Sequence, residues 1–396
     1  MSAETVAIVP PRYGLQVMGG AESHARILAE QLSRRGWPIE VLTTCVLDHY
    51  TWANYFPPGE EVINGIVVRR FPVDEDRDIR KVIDLEKRIH VGKKISRRRQ
   101  EAWISNVVRS SALRDYLDEH RDDYRAFVFI PYLFGTTYQG VNTVSEKAYM
   151  ILCLHDEPYA YLDIFRRTVR KARAILFNTE PEMKLARRLF GEDLRGRIVG
   201  MGFDPYHADG NRFRAKYAIE GDFLLYCGRR EVGKNTPLLM RYMCNYLDRT
   251  DRDLSFVLTG SGSVQIPLSF RDRIIDLGFV DERDKLDAYA AATLLCHPSV
   301  NESLSIILME AWLSALPCLV HGDCAVTKYH AQRSNGGLWF TDYPTFCEAL
   351  DLLLDHPQLR EEMGRRGREY VLGNYRWDDV AGYFGGALRD GEVSEA

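Results

Sequence analysis

Val6-Ala7-Ile8-Val9, closed by Pro10-Pro11, is a short β-rich run, and a loop bearing Gly14, Gly19 and Gly20 follows it. Residues 21–35 then carry Ile27, Leu28 and Leu32 at helical spacing, Gly36 stops that helix, and residues 39–44 read as the next strand. Strand, loop, helix, strand is a βαβ unit, which implies a parallel sheet covered by helices. Further along, residues 126–130, 149–154 and 174–177 read as buried strands. A polar helical stretch over 79–120, much more basic than its surroundings, lies before them.

The run from Gly200-Met201-Gly202-Phe203-Asp204-Pro205 to Gly210-Asn211 gathers glycine, proline and Asn/Asp without periodicity and marks a domain boundary. We expect a first domain over 1–205, a second over 206–375, and a helical segment over 376–396 that can cross back to the first. Beyond the boundary the alternation restarts, with strands at 223–227, 255–259, 274–277, 294–296 and 318–320. Helices are expected over 238–247 and 305–313, and over 361–388 with a break at Gly373-Asn374. Two doubly wound halves generate a cleft, because ligands bind outside the carboxyl ends of the strands.

The 396 residues are 45% apolar and 27% charged, which fits two globular domains. A net charge of −4 gives no global reason to expect nucleic acid. The 8 cysteines include no Cys-x-x-Cys pair, which argues against a zinc ribbon or a disulfide scaffold and suits a reducing cytosol. Met-Ser-Ala-Glu-Thr-Val lacks the basic and apolar regions of a signal peptide, and no apolar run approaches the ~18–20 residues that span a bilayer. A cytoplasmic location is expected, with membrane contact at most peripheral, at the inner face.

The stretch richest in chemistry is His297-Pro298-Ser299-Val300-Asn301-Glu302-Ser303-Leu304-Ser305-Ile306-Ile307-Leu308-Met309-Glu310-Ala311. A strand ends at the histidine, the loop holds Glu302, and a helix begins within residues 303–305. The helix start offers unpaired N–H groups and a positive dipole end, which suit an anion. Glu310 has apolar neighbours on nearly every side, and an acid so placed is usually paired or used. Together the two carboxylates suit a ligand carrying both phosphate and hydroxyls. The plain alternative is a solvated loop residue and an exposed helix face.

Glu302 and Glu310 stand in the Glu-x7-Glu spacing of the retaining glycosyltransferases of family four, which the chain resembles. Gly19-Gly20-Ala21-Glu22 is similar to that family's N-terminal glycine loop, and His155-Asp156 to its first-domain histidine after a strand. Gly202-Phe203-Asp204 resembles its interdomain G-x-D, and Gly228-Arg229 with Lys234 its G-R…K. Thr259-Gly260-Ser261-Gly262 sits at its G-x-G and Gly278-Phe279-Val280 at its G-x-V. The resemblance is dense over 223–340 and sparse in the first half. It also has departures. Ser303-Leu304-Ser305 stands where the family often has Gly-Phe-Gly, Ala315 replaces a usual glycine, and Gly322-Asp323-Cys324 takes the place of a glycine pair.

The resemblance implies an α/β fold of GT-B type, two Rossmann-like doubly wound domains facing a central cleft. The first domain would take the acceptor and the second the nucleotide sugar. Arg229 and Lys234 would hold the diphosphate and stabilise it as it leaves, since two cations after one strand can both reach it. Glu310 would bind the ribose hydroxyls, because a carboxylate accepts two hydroxyl hydrogen bonds at once, and Glu302 would contact the donor sugar. Gly260, Ser303, Leu304 and Ser305 would line the donor, and Gly19 and Gly20 would let backbone approach the diphosphate. His155 would lie near the transferred sugar, with Asp156 orienting it or capping the next turn. No carboxylate pair of glycosidase type is set up, which agrees with the family's retaining chemistry. No DxD motif is suitably placed, so neither a metal nor a cofactor is expected.

The expected partners are a nucleotide-sugar donor and an acceptor glycan, lipid-linked glycan or small glycoside, with no nucleic acid. Residues 80–99 hold nine basic side chains against Asp84 and Glu86. Ile79, Val82, Ile83 and Ile89 interleave with them, so an amphipathic helix could dock on anionic lipid, at about 1 kcal/mol per basic residue. The alternative is a solvated basic helix. RNA ranks last, because aromatic interleaving is missing. Rival readings are an NAD-dependent oxidoreductase, which would need a Gly-x-Gly-x-x-Gly that this chain lacks, a GT-B sugar epimerase or hydrolase, and an inactive sugar-nucleotide-binding subunit.

Overall fold

The computed structural model describes residues 4–74 and 79–390. The first three residues of the stretch read for a leader, and the last six of the C-terminal segment, lie outside the described residues. So do the side chains of Ile79, Lys81, Val82 and Asp390. The chain divides into two compact units, Met1–Met201 with Trp377–Ala396, and Gly202–Arg376.

Among the described residues the first unit is built on strands β1 (Val6–Val9), β2 (Ile39–Thr44), β3 (Gly59–Ile63), β4 (Ile66–Phe71), β5 (Ala126–Phe129), β6 (Ala148–Met150), β7 (Ala174–Phe177) and β8 (Gly196–Ile198). They lie in the order β3-β4-β2-β1-β5-β6-β7-β8, all parallel except β3 against β4. β1, β5, β6 and β7 are buried along their whole length, as expected of strands covered by helices on both faces. The β3–β4 hairpin was not among the strands read from the sequence. Its turn is Asn64-Gly65, at φ +50° and +82°, and its outer strand is exposed apart from Ile63.

The basic stretch folds as two helices, Ile79–His90 and Arg97–Ser105. Ile89 and Ile95 are buried in the core of the unit, and Leu85 packs against it. Burying these side chains removes apolar area from water, worth about 25 cal/mol per Å². Of the apolar residues expected on a membrane-facing side, Ile89 is therefore turned inwards, whereas Ile83 is 41% exposed. Trp103 stacks on Tyr159 at 5.1 Å and the His90 ring lies 5.2 Å from Tyr159. The stretch therefore borders the turn Pro158–Tyr161, which follows His155.

The second unit carries β9 (Asp222–Cys227), β10 (Leu254–Thr259), β11 (Ile274–Asp276), β12 (Leu294–His297), β13 (Cys318–His321) and β14 (Gly337–Phe340), all parallel. Their order is β11-β10-β9-β12-β13-β14. The strand order reverses between β9 and β12, so the loops leaving these two strands open a crevice at their carboxyl ends.

Candidate functional site

In the second unit, Lys234 ends the short turn Val232–Lys234 after β9, and Glu302 lies in the loop after β12. Lys234 Nζ donates to Glu302 Oε1 at 2.7 Å, and His297 Nε2 lies 3.1 Å from the same oxygen. The pair therefore spans the switch point. Asn235, left-handed at φ +57°, reinforces it by donating from Nδ2 to the Pro298 carbonyl at 3.2 Å. Burial pushes the Glu302 carboxyl up, but the Lys234 charge and the His297 bond outweigh it and hold the group well below the usual carboxylate range. The site thus keeps an ionised carboxylate and a cation together.

The loop after β9 is fixed by its neighbours. Gly228 N donates to Thr259 O at 3.0 Å, Arg230 N to Ser261 O at 2.8 Å, and Gly260 N to Gly278 O at 2.8 Å. Gly260 stands at φ +122°, and a Cβ there would meet the Gly228 carbonyl at 2.0 Å. This glycine makes the close approach of two loops possible. Arg230 is buried and binds Asp276 and the Gly260 carbonyl. Arg229 is different, being 42% exposed and 3.3 Å from Glu231. Its guanidinium makes no ion pair with Glu302 among the described residues.

Ser303, Leu304 and Ser305 are buried and lead into the helix Ile306–Leu313. Ser305 takes φ +68° and Ala315 φ +54°. At these two of the positions where the sequence departs from a usual glycine, the backbone keeps the left-handed form that favours glycine. Beneath the loop, His330 is fully buried and burial lowers its pKa to about 3, partly offset by a bond to the Leu304 backbone.

Glu310 lies in the same helix, 14% exposed. Its Oε1 accepts from Lys285 Nζ at 2.9 Å and its Oε2 from Tyr289 OH at 3.1 Å. Burial raises the carboxyl and Lys285 opposes that rise. Sequence reasoning missed His297, Arg230, Lys285 and Tyr289 as partners of the site. Lys285 and Tyr289, four apart on the helix Glu282–Ala291, share one face, so half of that signal was present in the spacing.

In the first unit Gly19, at φ +148°, precedes the helix Gly20–Arg34. A Cβ on Gly19 would lie 2.1 Å from Glu22 Oε2. Glu22 forms a buried ion pair with Arg12, which also donates to the Leu47 carbonyl at 2.8 Å and the Met18 carbonyl at 3.2 Å. Arg12 thus ties the glycine loop to the loop after β2, a role the sequence did not reveal.

His155 follows β6, its Nδ1 3.9 Å from Glu157 Oε1, and Glu157 accepts from Tyr132 OH at 2.8 Å. Asp156 accepts from Arg188, on the helix Glu180–Phe190, at 2.6 Å and from Tyr161 OH, at the end of the next turn, at 2.7 Å. That helix braces the loop from below. Buried Glu182 accepts from Leu154 N at 2.7 Å and Asn178 N at 2.6 Å, and burial pushes its pKa up to about 7 against those bonds. Among the described residues no cluster of three or more His, Cys, Asp or Glu side chains could hold a metal ion. No helix there is long and apolar enough to cross a membrane.

Residues 221–356 match the family model described as "Glycosyl transferases group 1". The chain is 23% identical over 420 residues to an uncharacterized glycosyltransferase of Methanocaldococcus jannaschii, covering 95% of each chain. It is 22% identical over 403 residues to a D-inositol 3-phosphate glycosyltransferase of Saccharomonospora viridis, covering 94% of this chain and 89% of that one. Among solved structures it is similar to the Anabaena protein HepE in complex with UDP-glucose, with TM-score 0.71 and 12% identity over 97% of this chain and 99% of that one. The architecture is GT-B, and the family match with the relatives supports glycosyltransferase activity.

Proposed function

We propose that this chain is a retaining glycosyltransferase that moves a hexose-type sugar from a nucleotide-diphosphate sugar to an acceptor hydroxyl. The product would belong to polysaccharide, glycolipid or glycoside biosynthesis. The single observation that carries this reading is the Lys234–Glu302 pair across the β9/β12 switch point, with Glu310 on the helix that follows.

Lys234 and Arg229 supply cationic charge for the diphosphate, and the start of the helix Ile306–Leu313, after Ser303, Leu304 and Ser305, supplies N–H donors. No metal is assigned a part. Glu310 accepts the ribose diol and Glu302 accepts hydroxyls of the sugar. In the transfer step the bond from C1 to the diphosphate oxygen breaks and the bond from C1 to the acceptor oxygen forms on the same face. The acceptor proton passes to the leaving phosphate, whose growing charge Lys234 and Arg229 stabilise. Gly19, Gly20 and His155 keep the parts that the resemblance gives them. The test is transfer itself, followed as the anomeric configuration of the product.

An anionic acceptor is supported by two facts. A relative is named for D-inositol 3-phosphate, and His90, which meets Tyr159 in the turn after His155, belongs to a stretch that exposes Arg80, Lys87, Arg88, Lys93, Lys94, Arg97, Arg98 and Arg99. The same residues favour peripheral docking of a cytoplasmic protein at the inner face of an anionic membrane. The attraction of these cations is screened over about 10 Å at 0.1 M salt. Sedimentation with anionic vesicles is therefore expected at low salt, lost at high salt, and abolished by changing Arg97, Arg98 and Arg99 together to Glu. A wild-type protein that ignores such vesicles at low salt would leave the stretch a solvated basic helix.

A further inference from the structure

Glu310 is held in an arrangement that the proposed ribose contact does not by itself require. Both of its oxygens are already engaged, Oε1 by Lys285 at 2.9 Å and Oε2 by Tyr289 at 3.1 Å. Lys285 is 19% exposed and lies between two carboxylates, the buried Glu310 and the largely exposed Glu282 at 3.0 Å. Tyr289 is buried, and Tyr206 OH donates to the Glu310 carbonyl at 2.6 Å and meets Ser314 Oγ at 2.8 Å. The carboxylate is thus clamped at its head and its backbone at once.

Each carboxylate oxygen has two acceptor positions, so a carboxylate that takes one bond per oxygen from protein can take one more per oxygen from a diol. With Lys285 and Tyr289 each taking one, both oxygens keep one acceptor position for a further donor. We propose that Lys285 is a positioning residue for the nucleotide, acting through Glu310: its ion pair keeps that carboxylate charged and oriented to accept the ribose diol. This rests on the reading of the second unit as a nucleotide-sugar site.

The groups facing Glu310 are few. The helix Glu282–Ala291 presents Glu282, Lys285 and Tyr289, β9 presents Cys227, and the segment before residue 210 presents Tyr206. On the helix Pro357–Asn374, Arg368 is turned to the Leu313 carbonyl at 2.5 Å, and His297 at the end of β12 is committed to Glu302. Among the described residues Lys285 is therefore the cation paired with Glu310. Burial already raises the Glu310 carboxyl, and removing the charge that opposes this would raise it further, so protonation would begin nearer neutral pH. A protonated carboxyl has lost acceptor capacity, and the binding it supports should recover as pH rises.

The experiment uses the full chain, with UDP, GDP and ADP as probes, to find which nucleoside diphosphate the wild type binds by calorimetry. Dissociation constants for that nucleotide and its 2′-deoxy form are then measured from pH 5.5 to 9. Lys285→Met should weaken the nucleotide about tenfold or more at pH 7, the scale of a charged hydrogen bond, with the loss shrinking as pH rises. Lys285→Arg should restore most of the affinity. In a Glu310→Gln background the Lys285→Met change should have little further effect, and the 2′-deoxy nucleotide should lose little in either variant. A Lys285→Met loss that is independent of pH, or equally large in the Glu310→Gln background, would overturn the proposal, as would unchanged binding. A wild type that binds none of the three nucleotides would overturn the underlying reading and the proposal with it. A Lys285→Met chain that fails to fold leaves Lys285→Gln and the Glu310→Gln pair to complete the cycle.

Discussion

Lys234→Ala is expected to lower turnover by roughly a hundredfold or more, the scale for losing one group that stabilises charge in a transition state. Lys234 is 25% exposed and not core, so by burial alone the variant would be as stable as wild type. The structure changes that expectation. Lys234 is an ion-pair partner of Glu302, whose side chain is only 12% exposed, and its removal leaves that charge to His297 alone. Some loss of melting temperature should accompany the loss of turnover, because an uncompensated buried charge is costly. Sign follows from the pair: Glu302 titrates well below its ordinary value, so its contribution to stability is present at neutral pH. That contribution should disappear as pH falls through the lowered folded value. In Lys234→Ala the acid side of the stability profile should therefore move towards neutral pH. Steady-state turnover and a melt across pH check both parts. A folded variant with near-wild-type turnover would remove Lys234 from the site.

Glu310→Gln should act on the donor more than on the chemistry. The amide keeps the shape and one acceptor but loses the charge, so donor affinity should fall by ~1.5–3 kcal/mol if the carboxylate bonds the ribose diol. Lys285 would then be left with Glu282, an exposed partner, and Tyr289 OH with a weaker acceptor. A donor lacking the 2′-hydroxyl provides the check. It should bind poorly to the wild type, yet the variant should discriminate little between the two donors. Equal further loss in the variant would mean that Glu310 never touches the ribose.

The parallel halves were legible because their strands are apolar runs with helices between them. β1, β2, β5, β7, β9 and β10 all stand where short runs rich in apolar residues read as strands. The β3–β4 hairpin escaped for a physical reason. Its outer strand carries Glu60 and Glu61, held by Arg69 and Arg70, so it lacks the apolar pattern of a covered strand. The Asn64-Gly65 turn between the two strands was the available signal.

In the site, Glu302 and Glu310 could be chosen by their spacing and by the apolar company of Glu310. Their partners could not all be found in this way. Lys234 and Glu302 meet across 68 residues and Lys285 and Glu310 across 25, distances set by strand order rather than by local pattern. Arg229 and Arg230 show the same limit. They are adjacent in sequence, yet one is half-exposed beside Glu231 and the other is buried against Asp276. Glu157, which no sequence pattern singled out, approaches the His155 ring. Ile89 marked an amphipathic helix, and only the packing of that helix shows which surface the apolar side covers.

The most direct test of the central claim follows the anomeric proton of the product by NMR while the full chain is incubated with a nucleotide sugar and a candidate acceptor. The account predicts that sugar appears on the acceptor with the same anomeric configuration it had in the donor, together with one nucleoside diphosphate released per sugar transferred. Transfer with the opposite configuration would contradict the retaining mechanism. Release of free sugar or of an epimer, with none on any acceptor, would contradict the transferase reading itself.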